Sequence, residues 1–500
     1  MSAVSSTTDM DRRGHPLSLV WRRHSGTAEL LVAAGAFLAL CIAVLVRSTS
    51  MLEPDDFAYR ASIIALTHGH IVLTNAQYLT LLQQLSHASQ PGIAQWVHLP
   101  SGMWISEKNP GYPFFAAPFQ MLGILRLAPL FYGGLGCLGL FAGGRRWLGR
   151  WGGAWAVVLF CSSAAAIGFA WRATMPTFTD ASLIAAGTGA LLWTMLACEA
   201  GARRRTVVGL LGFLALEAAT SMRYTDVVVL LVAVVAVLLA RRSARLSVRM
   251  LAPWFASLAL LAALLATFSA VFYGGVTKTG YGAGEITFGL GAVLPNLEHM
   301  PARLVSSMPF LVLAAIAIIW MTVRAARSFS PTLAQPLRTT YRRDAAVGAA
   351  LLAAWAGIYG LYLAYTWTVP QAAHSGATIH VVRFYVPALA AVALLAAWLL
   401  KQLPRWLPPM ALAVLVCLGA VTYPGLVNGG FPGAGGPGGP GPPHGPPPGG
   451  QLPNGPPPGG RQPSGGQPGG PRPNSGAPNG PLPGGGGPSG SSAPGGSSGS

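Results

Sequence analysis

The stretch that decides the fold is Glu29–Val46, ELLVAAGAFLALCIAVLV, which carries no charge after its first residue until Arg47. At ~1.5 Å per residue a helix over this run nearly crosses the roughly 30 Å hydrocarbon core of a bilayer. Lipid cannot satisfy backbone polar groups, so such a run has to be helical. It lacks a small-residue cleavage site and similar runs follow it, so it reads as a retained span and not as a removed signal peptide.

Working outward, the apolar runs recur and short basic clusters sit at alternate ends of them. These are RRGHPLSLVWRRH (12–24), RRWLGR (145–150), ARRRT (202–206), RRSARLSVR (241–249), the stretch 324–344, and KQLPRW (401–406). With every such cluster on the cytoplasmic side, the sequence predicts an all-α polytopic membrane protein of about 11 transmembrane helices. Spans are expected at about 29–46, 127–144, 153–171, 181–199, 206–221, 225–240, 251–273, 305–323, 345–365, 383–400 and 407–427. Of the 32 Lys and Arg residues, 21 then fall inside, two in the C-terminal tail and nine outside, while eight of the 14 acids fall outside. The net charge of +18 is therefore an orientation signal, and no nucleic-acid partner is expected. The five cysteines all lie in apolar runs and read as small buried hydrophobes.

Three regions follow. Residues 1–27 form a cytoplasmic N-terminal segment. Residues 28–427 form the transmembrane domain, with a long first outer loop at 47–126. Residues 428–500 are a Gly/Pro/Ser-rich tail that cannot bury enough surface to order itself; an odd number of spans puts it outside the cell membrane.

The first outer loop holds the densest acidic cluster of a chain that is only 9% charged. EPDDFAYRASIIALTHG (53–69) places Glu53, Asp55 and Asp56 ahead of Phe57, Ala61, Ile64 and Ala65, a spacing that predicts an amphipathic helix at the membrane interface. Acids at its start suit the helix dipole, and capping explains one of them more readily than all three. Later in the loop, SEKNPGYPFFAAPF forces a turn before a short helix, about 114–125, broken by Pro118.

These motifs carry a resemblance. The chain resembles the GT-C superfamily of membrane glycosyltransferases, in the branch of the aminoarabinose-to-lipid-A transferases and the protein O-mannosyltransferases. In that branch an Asp-Glu-x-x-Tyr lies in the first outer loop; here it is Asp55-Asp56-Phe57-Ala58-Tyr59, with Asp in place of Glu. The branch's Glu-Lys-Pro-Pro before Gly-Tyr is matched by Glu107-Lys108-Asn109-Pro110-Gly111-Tyr112, with Asn in place of the first proline. Its second acid, after the third span, is matched by Asp180, and its late Arg-aromatic-x-x-Pro by Arg383-Phe384-Tyr385-Val386-Pro387. The likeness covers about residues 30–400.

The resemblance implies transfer of a sugar from a polyprenyl-phosphate-linked donor to a glycan, lipid or protein acceptor on the outer face. Asp55 is then the expected general base, with inversion at the anomeric carbon and Asp56 and Asp180 as helpers. Lys108 and Arg383 are the first candidates to meet the donor phosphate, with Arg172 and Arg223 second. Tyr59, Glu107 and Tyr112 are candidate substrate contacts. No cofactor is certain; a divalent metal is open, with His68 and His70 as weak candidate ligands among seven outer histidines (the others being His87, His98, His299, His374 and His380). Glu217, inside the fifth span, is costly in lipid and needs a partner. The alternative reading is a transporter or lipid flippase. Against it, the spans show no obvious inverted repeat, and the charges gather at one face.

Overall fold

The computed structural model describes residues 16–47, 54–85, 95–281, 286–373 and 378–427. The expectations for Glu53, His87, His374 and the 428–500 tail fall outside these residues.

The chain begins with α1 (Pro16–Leu45), the helix that Glu29–Val46 demands. The segment between α1 and residue 126 supplies α2 (Pro54–Thr67), α3 (Asn75–Leu85), an antiparallel hairpin of β1 (Trp96–His98) and β2 (Trp104–Ser106), and α4 (Gly111–Met121). In the hairpin Trp96 faces Ser106 and His98 faces Trp104, around a turn in which Gly102 takes φ +80°.

Then come α5 (Ala128–Leu148), α6 (Gly152–Ser162), α7 (Ala164–Ala170), α8 (Thr177–Leu196) and α9 (Ala202–Met222). They are followed by α10 (Val227–Ala240), α11 (Val248–Tyr273), α12 (Val293–Ser307), α13 (Leu311–Arg327) and α14 (Gln335–Leu363). Last are α15 (Thr368–Ala373), α16 (Thr378–Val382), α17 (Leu389–Gln402) and α18 (Leu407–Val427).

Every expected span is helical over most of its length, but the helices are not eleven equal rods. Among the described residues six are long and apolar enough to cross a bilayer alone, in α1, the 125–148 segment, α9, α11, α14 and α18. The number is up to eight if each bent pair is one span: α6 with α7, bent by 63°, and residues 290–307 with α13, bent by 104°. Helices α10 and α17 are each 14 residues long, short of the ~20 a straight crossing needs. Helix α4 has 11 residues with Pro118 inside and is too short to span.

One expectation is corrected. Residues 274–304, set between two expected spans, contain α12 at 293–307; Asn296, Met300 and Leu304, at i, i+4 and i+8, form its buried stripe. Helix α2 is packed on two sides and keeps Phe57, Arg60 and Ile64 half-buried along a third. Ala58, Tyr59, Ala61, Ile63 and Ala65 are all buried, because α4 packs on one side and α3 with the hairpin packs on another.

The centre of the bundle is α5 against α8, where glycine lets backbones approach closely. A Cβ added at Gly143 would stand 2.6 Å from the Gly189 carbonyl oxygen. At the arginine-rich end the Asp344 carboxylate accepts from two indoles, Trp147 Nε1 and Trp398 Nε1, each at 3.1 Å. That contact ties α5, α14 and α17 together. Glu29 is also buried there, against Arg145 and Arg150. Asp55, Asp56 and Glu107 gather at the opposite end.

Candidate active site

The site forms where the N-termini of α2 and α8 meet the turns after α7, α9 and α16. Asp55 opens α2, in the first turn. Its Oδ1 lies 3.1 Å from Lys108 Nζ and its Oδ2 accepts from Arg383 Nη1 at 2.7 Å. These three side chains, 328 residues apart at the extremes, form one ion triad in which the two cations are buried and Asp55 is half-buried. Lys108 is placed by the turn after β2: Asn109 Nδ2 donates to the Met222 carbonyl at 3.1 Å. Gly111 sits so close to Ser221 that a Cβ there would overlap it. Glu107 Oε1 approaches Lys108 Nζ at 3.5 Å, and the same ammonium donates to the Tyr281 hydroxyl at 3.4 Å.

Burial pulls the Lys108 ammonium down, but the Asp55 carboxylate above all, with Glu107 beside it, leaves its pKa above the usual lysine value. Tyr281 and Tyr59 are pushed well up by burial, so both hydroxyls stay protonated and available as donors.

Arg383 emerges just before the turn that opens α17. Its guanidinium lies over Phe384, 4.7 Å from the ring centre, and over Trp367 at 5.4 Å, a flat aromatic seat for a flat cation. Its carbonyl accepts from Arg223 Nη1 at 2.9 Å. Arg223 also donates to Thr177 Oγ1 at 2.7 Å and lies 3.5 Å from Asp180 Oδ2. Burial lowers the Arg223 pKa and Asp180 more than offsets it. Asp180, at the start of α8, thus joins the triad through Arg223.

Asp56 points the other way along α2. It pairs with Arg172 and accepts from Thr174 Oγ1 at 2.7 Å, and neither member of the ion pair is solvent-exposed. Tyr112 donates to the Ala173 carbonyl at 2.5 Å and meets Tyr59 edge to face. Asp56, Arg172, Tyr59 and Tyr112 form the floor of the site. Of the expected site residues, the structure brings Asp55, Lys108, Arg383 and Glu107 into direct contact. Arg223 and Asp180 form a second layer, and Asp56, Arg172, Tyr59 and Tyr112 lie beneath.

No group of three or more His, Cys, Asp or Glu side chains able to hold a metal occurs among the described residues. His68 Nδ1 is 2.9 Å from the Ile64 carbonyl and His70 Nε2 is 3.0 Å from Gln77 Nε2, so both weak candidates sit in local contacts.

Sequence reasoning missed Tyr281 and Asp226. Tyr281 sits in a Gly-rich stretch between α11 and α12 with no pattern around it. Asp226, the last residue of RYTD (223–226), reads from the sequence as a span-flanking acid. The partner of Glu217 is Ser257 on α11, whose hydroxyl donates at 2.7 Å; nothing local in the sequence pairs these two.

No protein-family model matches the chain and no curated protein sequence does. Among solved structures, the chain is similar to the apo oligosaccharyltransferase of Archaeoglobus fulgidus, at 12% identity and TM-score 0.50, covering 80% of this chain and 56% of that one. The same enzyme with zinc and sulfate gives TM-score 0.49 at 13% identity, covering 80% of this chain and 52% of that one. ArnT from Cupriavidus metallidurans in the apo state gives TM-score 0.35 at 16% identity, covering 82% and 78%. The chain spans about half the length of the oligosaccharyltransferase it matches. At this identity the likeness is one of fold alone: the helical part of the chain shares its fold with the Archaeoglobus fulgidus oligosaccharyltransferase.

Proposed function

We propose that the protein is a membrane glycosyltransferase that moves a sugar from a polyprenyl-phosphate-linked donor to an acceptor hydroxyl at the outer face, with inversion at the anomeric carbon. The observation that carries this is the bridging of Asp55 between Lys108 and Arg383. It puts a carboxylate and two cations at one spot, which is what a displacement with a phosphate leaving group requires. The orientation follows from the arginine-rich opposite end, read as cytoplasmic.

With a cation on each oxygen, Asp55 is a weak base. A donor phosphate is the better partner for a lysine and an arginine set side by side. When it takes both cations, Asp55 loses its stabilising charges and regains basicity. The carboxylate then accepts the acceptor hydroxyl proton as that oxygen attacks the anomeric carbon. The bond from that carbon to the phosphate oxygen breaks with its electron pair on the phosphate, where Lys108 and Arg383 already stand. Base strength is thereby coupled to donor occupancy. A small pocket bounded by Leu66, Ile105, Phe114 and Phe268, with Ser62 and His70, borders Lys108.

The test is transfer by the purified protein in liposomes, from polyprenyl-phosphate sugars to an added acceptor. Asp55→Asn is expected to lose at least about two orders of magnitude, the contribution of a general base. Full transfer by that variant, once shown to be folded, removes the assignment.

A further inference from the structure

A second carboxylate stands beside Asp180 and has no part in the chemistry above. Asp180 and Asp226 are buried, 0% and 1% exposed, and lie against each other. Among the described residues, no hydrogen-bond donor reaches any of their four carboxyl oxygens. The cation beside them is Arg223, whose Nε lies 3.5 Å from Asp180 Oδ2 while Nη1 donates to the Arg383 carbonyl and Nη2 to Thr177 Oγ1. Tyr362, whose hydroxyl pairs with Thr225 at 2.6 Å, and Tyr59 are the other titratable groups nearby.

Two buried anions against one guanidinium leave a charge uncompensated, and like charges in one site do not both ionise. A single proton between the carboxyls removes the excess charge and supplies the missing hydrogen bond. It belongs on Asp226, because Arg223 is paired with Asp180 and favours its ionised form.

We propose that Asp226 is a protonated positioning residue. It donates a hydrogen bond to Asp180, so that the pair carries one negative charge, matched to Arg223. Arg223 then holds the Arg383 carbonyl, and this sets the Arg383 guanidinium on Asp55. The link runs through four residues from three separate parts of the chain and ends at the ion triad.

The proton is tested without reference to turnover. Full-length wild type and Asp226→Asn are compared by infrared difference spectroscopy in lipid nanodiscs at neutral pH. The expected result is a deuteration-sensitive carbonyl stretch of a protonated carboxylic acid, present in wild type and absent from the variant. Glu217 and Asp344 are common to both samples and cancel. A difference spectrum that instead shows loss of a carboxylate overturns the proposal.

The positioning role rests on the transferase reading and is tested in the same liposome assay. Asp226→Leu is expected to lower transfer about tenfold or more, and Asp226→Asn to recover most of that loss, since the amide keeps a neutral donor in place. If Asn is as damaging as Leu, the group is needed as an anion and the proposal falls. A wild type without transfer would sink the transferase reading, while the infrared comparison would still decide the protonation of Asp226.

Discussion

Asp55 and Asp56 are neighbours in sequence with opposite surroundings, and the difference decides what each can do. Asp55 is partly exposed and shares its two oxygens between Lys108 and Arg383; Asp56 is sealed against Arg172 and Thr174. Breaking a buried ion pair by removing one partner typically costs 3–5 kcal/mol, on the order of a third of a domain's stability. Arg172→Met is therefore expected to lower the unfolding temperature and the yield in membranes, measured by thermal unfolding in detergent. The expected effect of Lys108→Met is different: a raised KM for the donor, with the fold retained. Lys108 also sets a pH limit. Its folded pKa lies above the ordinary 10.5, so its contribution is fully present below about 10.5 and is lost only as pH rises through the folded value. Donor affinity should consequently show no alkaline limb from this group up to pH ~10, and a donor KM that rises between pH 8 and 9 would contradict that. Asp55, Lys108 and Arg383 stood out in the sequence through the motifs of the resemblance, and the structure brings them into contact. The division of labour between Asp55 and Asp56 was not legible in the sequence, since it depends on which side of α2 each faces.

At the scale of elements, the site depends on how closely helices approach. The α5–α8 contact brings Gly143 onto Gly189, with no room for a side chain on the facing backbones, and α8 carries Asp180 at its other end. Gly189→Leu is expected to push these helices apart and lower both thermal stability and transfer, whereas Gly201→Ala, where nothing lies within 4 Å of an added Cβ, should change neither. The elements were readable to different degrees. Apolar runs bounded by arginines announced α1, α5, α9, α11, α14 and α18, since length and hydropathy alone specify a crossing helix. The hairpin at 96–106 was hidden because three-residue strands carry too little alternation to register. Helix α12 was hidden because its stripe of Asn296, Met300 and Leu304 includes a polar member. That asparagine is buried for its bonds to the Leu363 and Tyr365 carbonyls, a requirement set by a distant part of the chain.

For the whole molecule, the two ends differ in charge: Arg145, Arg150 and Arg241 mark one, and Asp55, Asp180 and Glu107 the other. A cysteine at position 245 in a cysteine-free background should resist a membrane-impermeant maleimide added to intact cells, and one at position 278 should react. The reverse pattern would invert the proposed orientation. The motifs of the resemblance fall together at one end of successive helices. They did not reveal the bends at 163 and 308–310, since a bent and a straight apolar helix have the same composition. The Asp344 carboxylate that grips the indoles of Trp147 and Trp398 also has a mechanical meaning. Three rods riveted at one extremity can separate only by splaying at the other, as tongs do. Whatever gape admits a bulky saccharide on its lipid should therefore appear as widening distances between spin labels near the α5, α14 and α17 tips beside Asp55, with the riveted ends unmoved.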